Sequence, residues 1–165
     1  AVAATSWVMK IPGEAVSKGV EAFHGAGRRM EFKGTYHGAQ VYDDYAHHPD
    51  ELRATLEAIR SMGDHRLVLA FQPHTYTRTK LLMDDFIREL KKADVVVLAE
   101  IYAARESNTI GISSADLAAQ IPGSIYCETL QDVTETLRKI VKEGDIVVTM
   151  GAGDIFRAGE ALLAE

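Results

Sequence analysis

Leu67-Val68-Leu69-Ala70-Phe71 runs straight into Gln72-Pro73-His74-Thr75-Tyr76-Thr77-Arg78. Five apolar residues in a row are strand-length. An unbroken apolar run, rather than an alternating one, marks a strand covered on both faces by helices. The same pattern returns at Val95–Ala99 and at Ile146–Met150, each run closed by a polar stretch. Between and after these strands the spacing predicts helices over residues 77–92, 113–120, 130–143 and 154–164, with a short strand at Ile125 and Tyr126. Strand alternating with helix gives an α/β fold of three layers around a mostly parallel sheet, with right-handed crossovers.

Upstream the period changes. Residues 30–35 and 40–45 read as strands joined around Tyr36-His37-Gly38, an N-terminal β-hairpin. After His48-Pro49, Leu52, Leu56 and Ile59 fall on one helical face. Pro49 suits the first helical position, and Asp50 and Glu51 complement the positive end of the helix dipole. Residues 1–23 read as two short helices broken at Ile11-Pro12-Gly13. They lack the apolar surface for a core of their own. They are expected to be the tail of a preceding domain, with His24-Gly25-Ala26-Gly27 as linker, and the opening at Ala1 rather than Met is expected of a piece of a longer protein.

With 165 residues, 47% hydrophobic and 25% charged, the composition is that of a globular domain and excludes a disordered chain. Eighteen basic against 24 acidic residues give a net charge of -6, which argues against a general nucleic-acid binder and against an anionic membrane surface. The longest apolar runs are strand-sized, so no transmembrane helix is expected. The single Cys127 excludes an internal disulfide and points to a reducing, cytoplasmic setting.

In open α/β sheets ligands bind beyond the carboxyl ends of the strands. The polar motifs of this chain collect there: Asp43-Asp44-Tyr45-Ala46-His47-His48, then Gln72 to Arg78, then Glu100-Ile101-Tyr102-Ala103-Ala104-Arg105-Glu106, then Gly151-Ala152-Gly153-Asp154. The first string could bind a divalent metal, bond a ribose or move protons. Neighbours in a strand face opposite ways, so Asp43 and Asp44 are not expected to share one job, and one Asp and one His could be turn, cap or packing residues. Its spacing matches no standard zinc pattern. In the second string Thr77 reads as an N-cap, which would put Arg78 and Lys80 in the first helical turn against the dipole. A bound anion would compensate such a placement, and Arg78 is read as its contact. Lys80 is read as solvated. Of Arg28-Arg29, ahead of a strand, at most one is expected to face the site. Gly151-Ala152-Gly153 fails as a dinucleotide fingerprint because Phe156 takes the third glycine's place, so it reads as a tight turn. There is no Walker-type loop in the sequence. Two readings stay open on these residues alone: a metal-dependent phosphohydrolase built on Asp43, Asp44, His47 and His48, and a stand-alone nucleotide-binding or interaction module.

Gly27-Arg28-Arg29-Met30-Glu31-Phe32, Val41-Tyr42-Asp43-Asp44-Tyr45-Ala46-His47-His48-Pro49 and Phe71-Gln72-Pro73-His74-Thr75-Tyr76-Thr77-Arg78-Thr79 resemble the carboxyl-terminal domain of the Mur ligase family. Gly111-Ile112-Ser113-Ser114 and the stretch from Gly144 to Asp154 fit the same family. The joined Asp-Asp-Tyr-Ala-His-His-Pro and Gln-Pro-His-x-Tyr-x-Arg-Thr strings resemble its alanine-adding branch. The resemblance implies a Rossmann-like carboxyl-terminal domain at residues 27–165, preceded at 1–26 by the end of a central ATPase domain and a linker. It implies ATP and magnesium as cofactors, with the metal ligands largely in that central domain and none assigned here. UDP-N-acetylmuramate and L-alanine are the implied substrates, and the remaining domains of the same chain the implied partners. By motif position, Arg29 would reach the ATP phosphates and Asp44 hold the nucleotide. Tyr45, His47, His74, Tyr76 and Arg78 would shape the alanine and acyl-phosphate pocket, with His47, His74 and Arg78 nearest the chemistry. Thr75 stands where some members carry a second arginine. The resemblance implies that a fragment without the phosphate loop is inactive by itself.

Overall fold

The structure, a computed structural model, describes residues 2–23 and 25–164, so His24 of the expected linker lies outside the described residues. Six strands among them, β1 (Glu31–Tyr36), β2 (Ala39–Asp44), β3 (Leu67–Phe71), β4 (Val95–Ala99), β5 (Ile125–Cys127) and β6 (Ile146–Met150), build one sheet in the order β1-β2-β6-β3-β4-β5. The β1–β2 hairpin is antiparallel and every other pairing is parallel. The last strand therefore enters the middle of the sheet, between β2 and β3. All five residues of β3 and all five of β6 are buried, which is why both read as continuous apolar runs.

The eight described helices are α1 (Val2–Val8), α2 (Gly13–Glu21), α3 (Pro49–Ser61), α4 (Tyr76–Leu81), α5 (Met83–Leu90), α6 (Ser114–Ala118), α7 (Leu130–Ile140) and α8 (Phe156–Leu163). Strand alternation sorts the core into two slabs. Leu67, Leu69, Phe71, Leu98 and Val148 pack with Leu52 and Leu56 of α3, Phe86 and Leu90 of α5 and Leu117 of α6. Val68, Ala70, Val97 and Val147 pack with Val133 and Leu137 of α7 and Ala158 and Leu162 of α8. Each large side chain so buried contributes about 1.5–3 kcal/mol. Three helices open on side-chain capping boxes. His48 and Glu51 cap α3, Ser113 and Asp116 cap α6, and Thr129 and Asp132 cap α7. Thr129→Ala removes the acceptor of the Asp132 amide at 3.1 Å and should lower stability by about 1 kcal/mol, seen as a shifted urea midpoint with unchanged slope.

One expectation fails. The helix predicted over 77–92 is two helices, α4 and α5, broken at Leu82 (φ -108, ψ 22). Thr79 Oγ1 donates back to the Thr75 carbonyl at 2.7 Å, a bond that bends helices. Asp84 and Asp85 then open α5 as favourable first-turn carboxylates while Phe86, Ile87 and Leu90 turn to the core. The N-cap is Thr75 rather than Thr77, and Arg78 and Lys80 lie in the last turn of α4, where cations suit the dipole. The dipole conflict that pointed to a bound anion is thus absent.

Helices α1 and α2 contribute nothing to either slab. They pack on each other, and Trp7 is 82% exposed with Val8, Met9, Ile11, Val20 and Phe23 also in solvent. No helix among the described residues is long and apolar enough to cross a membrane.

Candidate active site

Strand β2 ends in two carboxylates that face opposite ways. Asp43 is buried and accepts from Thr149 Oγ1 at 2.7 Å and from Arg28 Nε at 2.7 Å. The rest of the Arg28 guanidinium donates to the carbonyls of Gly151 (2.6 Å) and Gly153 (3.2 Å). It lies between the rings of Tyr45 and Phe156, 5.0 and 4.7 Å from their centres. Arg28 is therefore a clamp across the ends of β2 and β6. Asp44, expected to hold the nucleotide, is 3% exposed, and both its oxygens are taken. Oδ2 accepts from the Met30 amide (2.8 Å), and Oδ1 from the Ala46 amide (2.8 Å) and Thr55 Oγ1 (3.3 Å). It ties segment 28–30 to segment 45–46.

The arginine pair lies in a turn just ahead of β1. Arg28 (φ 55) and Met30 (φ 47) are turn residues, and the guanidiniums of Arg28 and Arg29 both lie over the Tyr45 ring, at 5.0 and 5.8 Å from its centre. Arg29 is half in solvent, with its nearest carboxylate, Glu51 Oε1, at 4.0 Å. Arg28 is the arginine engaged inward, through Asp43 and the two glycine carbonyls, while Arg29 stays at the surface. Sequence reading missed the Arg28 clamp, and the available signal was a central-strand Asp43 that, once buried, needs a cation.

His47 and His48 also divide their work. His48 caps α3, its Nδ1 accepting the Asp50 amide at 3.3 Å. The His47 ring meets Tyr45 edge-on (5.4 Å) and lies 5.7 Å from the ring of His74, which stacks on Tyr102 at 5.7 Å. Phe156, Arg28, Tyr45, His47, His74 and Tyr102 thus form a continuous row along the carboxyl edge. Gly153 closes it, because a Cβ there would meet Gln72 Oε1 and lie 2.7 Å from Tyr102 Cγ. Gly151-Ala152-Gly153 is a tight turn, as expected.

Segment 72–78 hangs from that row. The amides of Thr75 and Tyr102 donate to the carbonyls of Tyr102 and Pro73, both at 2.9 Å. Thr75 is held at φ 69, a left-handed conformation that a β-branched residue rarely adopts. The strain delivers His74 and Arg78 to one side. Burial, with Arg78 and His47 nearby, pushes the His74 imidazole below its ordinary value, against Glu106, so it is neutral at pH 7. His74 Nδ1 and Arg78 Nη1 are both buried without a hydrogen-bond partner. Two such orphans in adjacent turns mark a place meant for something else. Beside them an open cleft of about 500 Å³ is lined by His48, Thr75, Thr77, Arg78, Leu81, Leu82 and Glu106. Tyr76 opens α4 half-buried and does not line it.

No group of three or more His, Cys, Asp or Glu among the described residues is placed to hold a metal ion. The four residues of the phosphohydrolase reading do not converge: both carboxylates point inward and His48 is a cap. Cys127 is buried, and burial pushes its thiol up, which leaves it inert.

The sequence profile described as "Mur ligase, glutamate ligase domain" matches residues 28–153. The chain belongs to the Mur ligase family. It is 48% identical to UDP-N-acetylmuramate–L-alanine ligase of Lachnospira eligens, over 99% of this chain and 36% of that protein. It is 43% identical to the enzyme of the same name from Clostridium tetani, over 96% of this chain and 36% of that protein. The chain thus spans about a third of these Mur ligases and matches their carboxyl-terminal domain. Among solved structures it resembles UDP-N-acetylmuramate-alanine ligase of Thermotoga maritima (TM-score 0.77, 24% identity, 97% of this chain and 34% of that one). It also resembles a murein peptide ligase of Psychrobacter arcticus (TM-score 0.67, 26% identity, 90% and 32%). The mostly parallel sheet with its antiparallel hairpin is the Rossmann-like carboxyl-terminal fold of the Mur ligases.

Proposed function

We propose that this chain is the amino-acid-binding, carboxyl-terminal part of an ATP-dependent ligase that joins L-alanine to UDP-N-acetylmuramate. The observation that carries the reading is Arg78 Nη1, buried without a partner like the nearby His74 Nδ1, on a side chain that lines an open cleft. A guanidinium fits a carboxylate in bidentate fashion, and alanine brings one. In this reaction ATP phosphorylates the sugar's lactyl carboxylate. Alanine's amine attacks the acyl phosphate, and the tetrahedral intermediate collapses to amide and phosphate.

Arg78 pairs the alanine carboxylate, while Tyr45, His47 and His74, in the row beside the cleft, face the acyl phosphate, and Tyr76, outside the cleft lining, supports Arg78 from the start of α4. Arg29, half in solvent beside Glu51 and the Tyr45 ring, reaches the ATP phosphates. Asp44 serves the nucleotide by fixing the Arg29 turn, since its own oxygens are engaged. Magnesium belongs with the phosphate loop, in the part of the protein outside this chain. The exposed apolar face of α1 and α2, with a groove of about 430 Å³ lined by Val2, Ile11, Val16, Val20 and Phe23, docks on that same part, which makes residues 1–26 the tail of the central domain and a linker. The setting is cytoplasmic.

The purified chain alone should release no phosphate from ATP above a blank. The full-length protein should do so only with both UDP-N-acetylmuramate and alanine present, forming the amide in equal amount. Phosphate release by the isolated chain that is abolished by Asp44→Asn would overturn the reading.

A further inference from the structure

The cleft beside Arg78 holds a second charge. Glu106 comes from the loop after β4, reaches the rim and accepts from the Thr77 amide at 2.9 Å and from the Thr77 hydroxyl. Those two donors, hydroxyl first, with lesser help from the Tyr76 amide and the Thr75 side chain, hold its carboxyl below the usual range, so it is anionic at neutral pH. Glu106 and Arg78 line one cleft, yet they are not within 4.0 Å of each other and no other ion pair engages either among the described residues. Opposite charges that share a cleft without pairing leave each able to take one end of a dipolar guest. Each Glu106 oxygen keeps lone pairs after bonding Thr77. The rest of the lining is Leu81, Leu82, Thr75, Thr77 and the His48 ring, and the two leucines suit a small apolar substituent.

We infer that Glu106 receives the α-ammonium of the incoming amino acid while Arg78 receives its carboxylate, so that the cleft selects a free zwitterionic α-amino acid. This rests on the amino-acid reading of the cleft and adds to it a residue for the other end of the substrate. The alternative use of Glu106 is only to hold the start of α4 through Thr77.

The test uses the full-length protein and two half-substrates as competitors of alanine: propionate, which has the carboxylate alone, and ethylamine, which has the ammonium alone. Glu106→Gln keeps an oxygen for Thr77 but loses the charge. It should raise the KM for alanine and the inhibition constant of ethylamine about tenfold, the order of one charge-assisted hydrogen bond near the surface, and leave that of propionate unchanged. Arg78→Ala should weaken alanine and propionate and spare ethylamine. Thr77→Val removes the hydroxyl yet keeps the Glu106 charge, and ethylamine competition should survive it. The inference is overturned if Glu106→Gln leaves alanine and ethylamine within twofold, or weakens propionate equally, or is copied by Thr77→Val. Failure of ethylamine to compete in the unaltered protein overturns it as well. If Arg78→Ala also leaves propionate untouched, the amino-acid reading of the cleft falls. If only the Glu106 arm fails, that reading stands.

Discussion

Arg78→Ala in the full-length protein should raise the KM for alanine and lower kcat/KM for it by roughly ten- to a hundredfold, while the KM for ATP stays close to its starting value. The lost interaction is a charge-assisted hydrogen bond to a carboxylate, about 1.5–3 kcal/mol. Nη1 of Arg78 is buried and unpartnered, so its removal breaks no internal contact of that atom, and the loss should appear with substrate rather than in folding. Arg78→Lys should rescue only in part, because a point charge cannot reproduce a two-pronged contact. Lys80, two residues on and exposed, is the control: Lys80→Ala should change little. Steady-state kinetics with each substrate varied in turn decide the matter. An effect confined to ATP would move this side chain to the phosphate.

The second large effect is expected at Arg28, in folding. Its guanidinium is the charged partner of Asp43, whose side chain is 2% exposed, and it holds two carbonyls of the turn after β6. Removing one member of a buried pair leaves an uncompensated charge and typically costs about 3–5 kcal/mol. Arg28→Ala should destabilise the chain by that order in guanidinium unfolding. Arg28→Met combined with Asp43→Asn should recover much of the loss, because the stranded charge is gone. A cost below about 1 kcal/mol for Arg28→Ala would show that the clamp is ornamental.

Much of the fold was legible because β3, β4 and β6 are buried on both faces and so leave no alternation to misread. The hairpin turn at His37-Gly38 was legible for a local reason, since both residues have positive φ and glycine supplies one of them freely. Features fixed by distant contacts were not. The break at Leu82 depends on which face of α5 meets the sheet. The cap at Thr75 depends on a left-handed threonine held by Tyr102, and no propensity announces that. At the candidate site, the nearness of Arg78, His74 and His47 was legible because they crowd one sheet edge in sequence. The division of labour within Asp43-Asp44 and within Arg28-Arg29 was not, because it is set by a turn of positive φ at Arg28 and Met30. Glu106 lay in a polar string at the same edge, and only the fold shows that it faces Arg78's cleft.

The central place of β6 governs how this molecule comes into being. Asp43 meets its partner Thr149 across 106 positions of chain. A chain emerging from the ribosome makes the β1–β2 hairpin and the β3–β4 pair early, but as two half-sheets, each with an open edge that only residues 146–150 can close. Pairings this remote are slow to form, and open edges recruit other chains. Completion of the sheet thereby waits until residues 146–150 have been made. A product cut short before Ile146 carries strands from both halves and nothing to join them, and so is recognisable as unfinished by its edges alone.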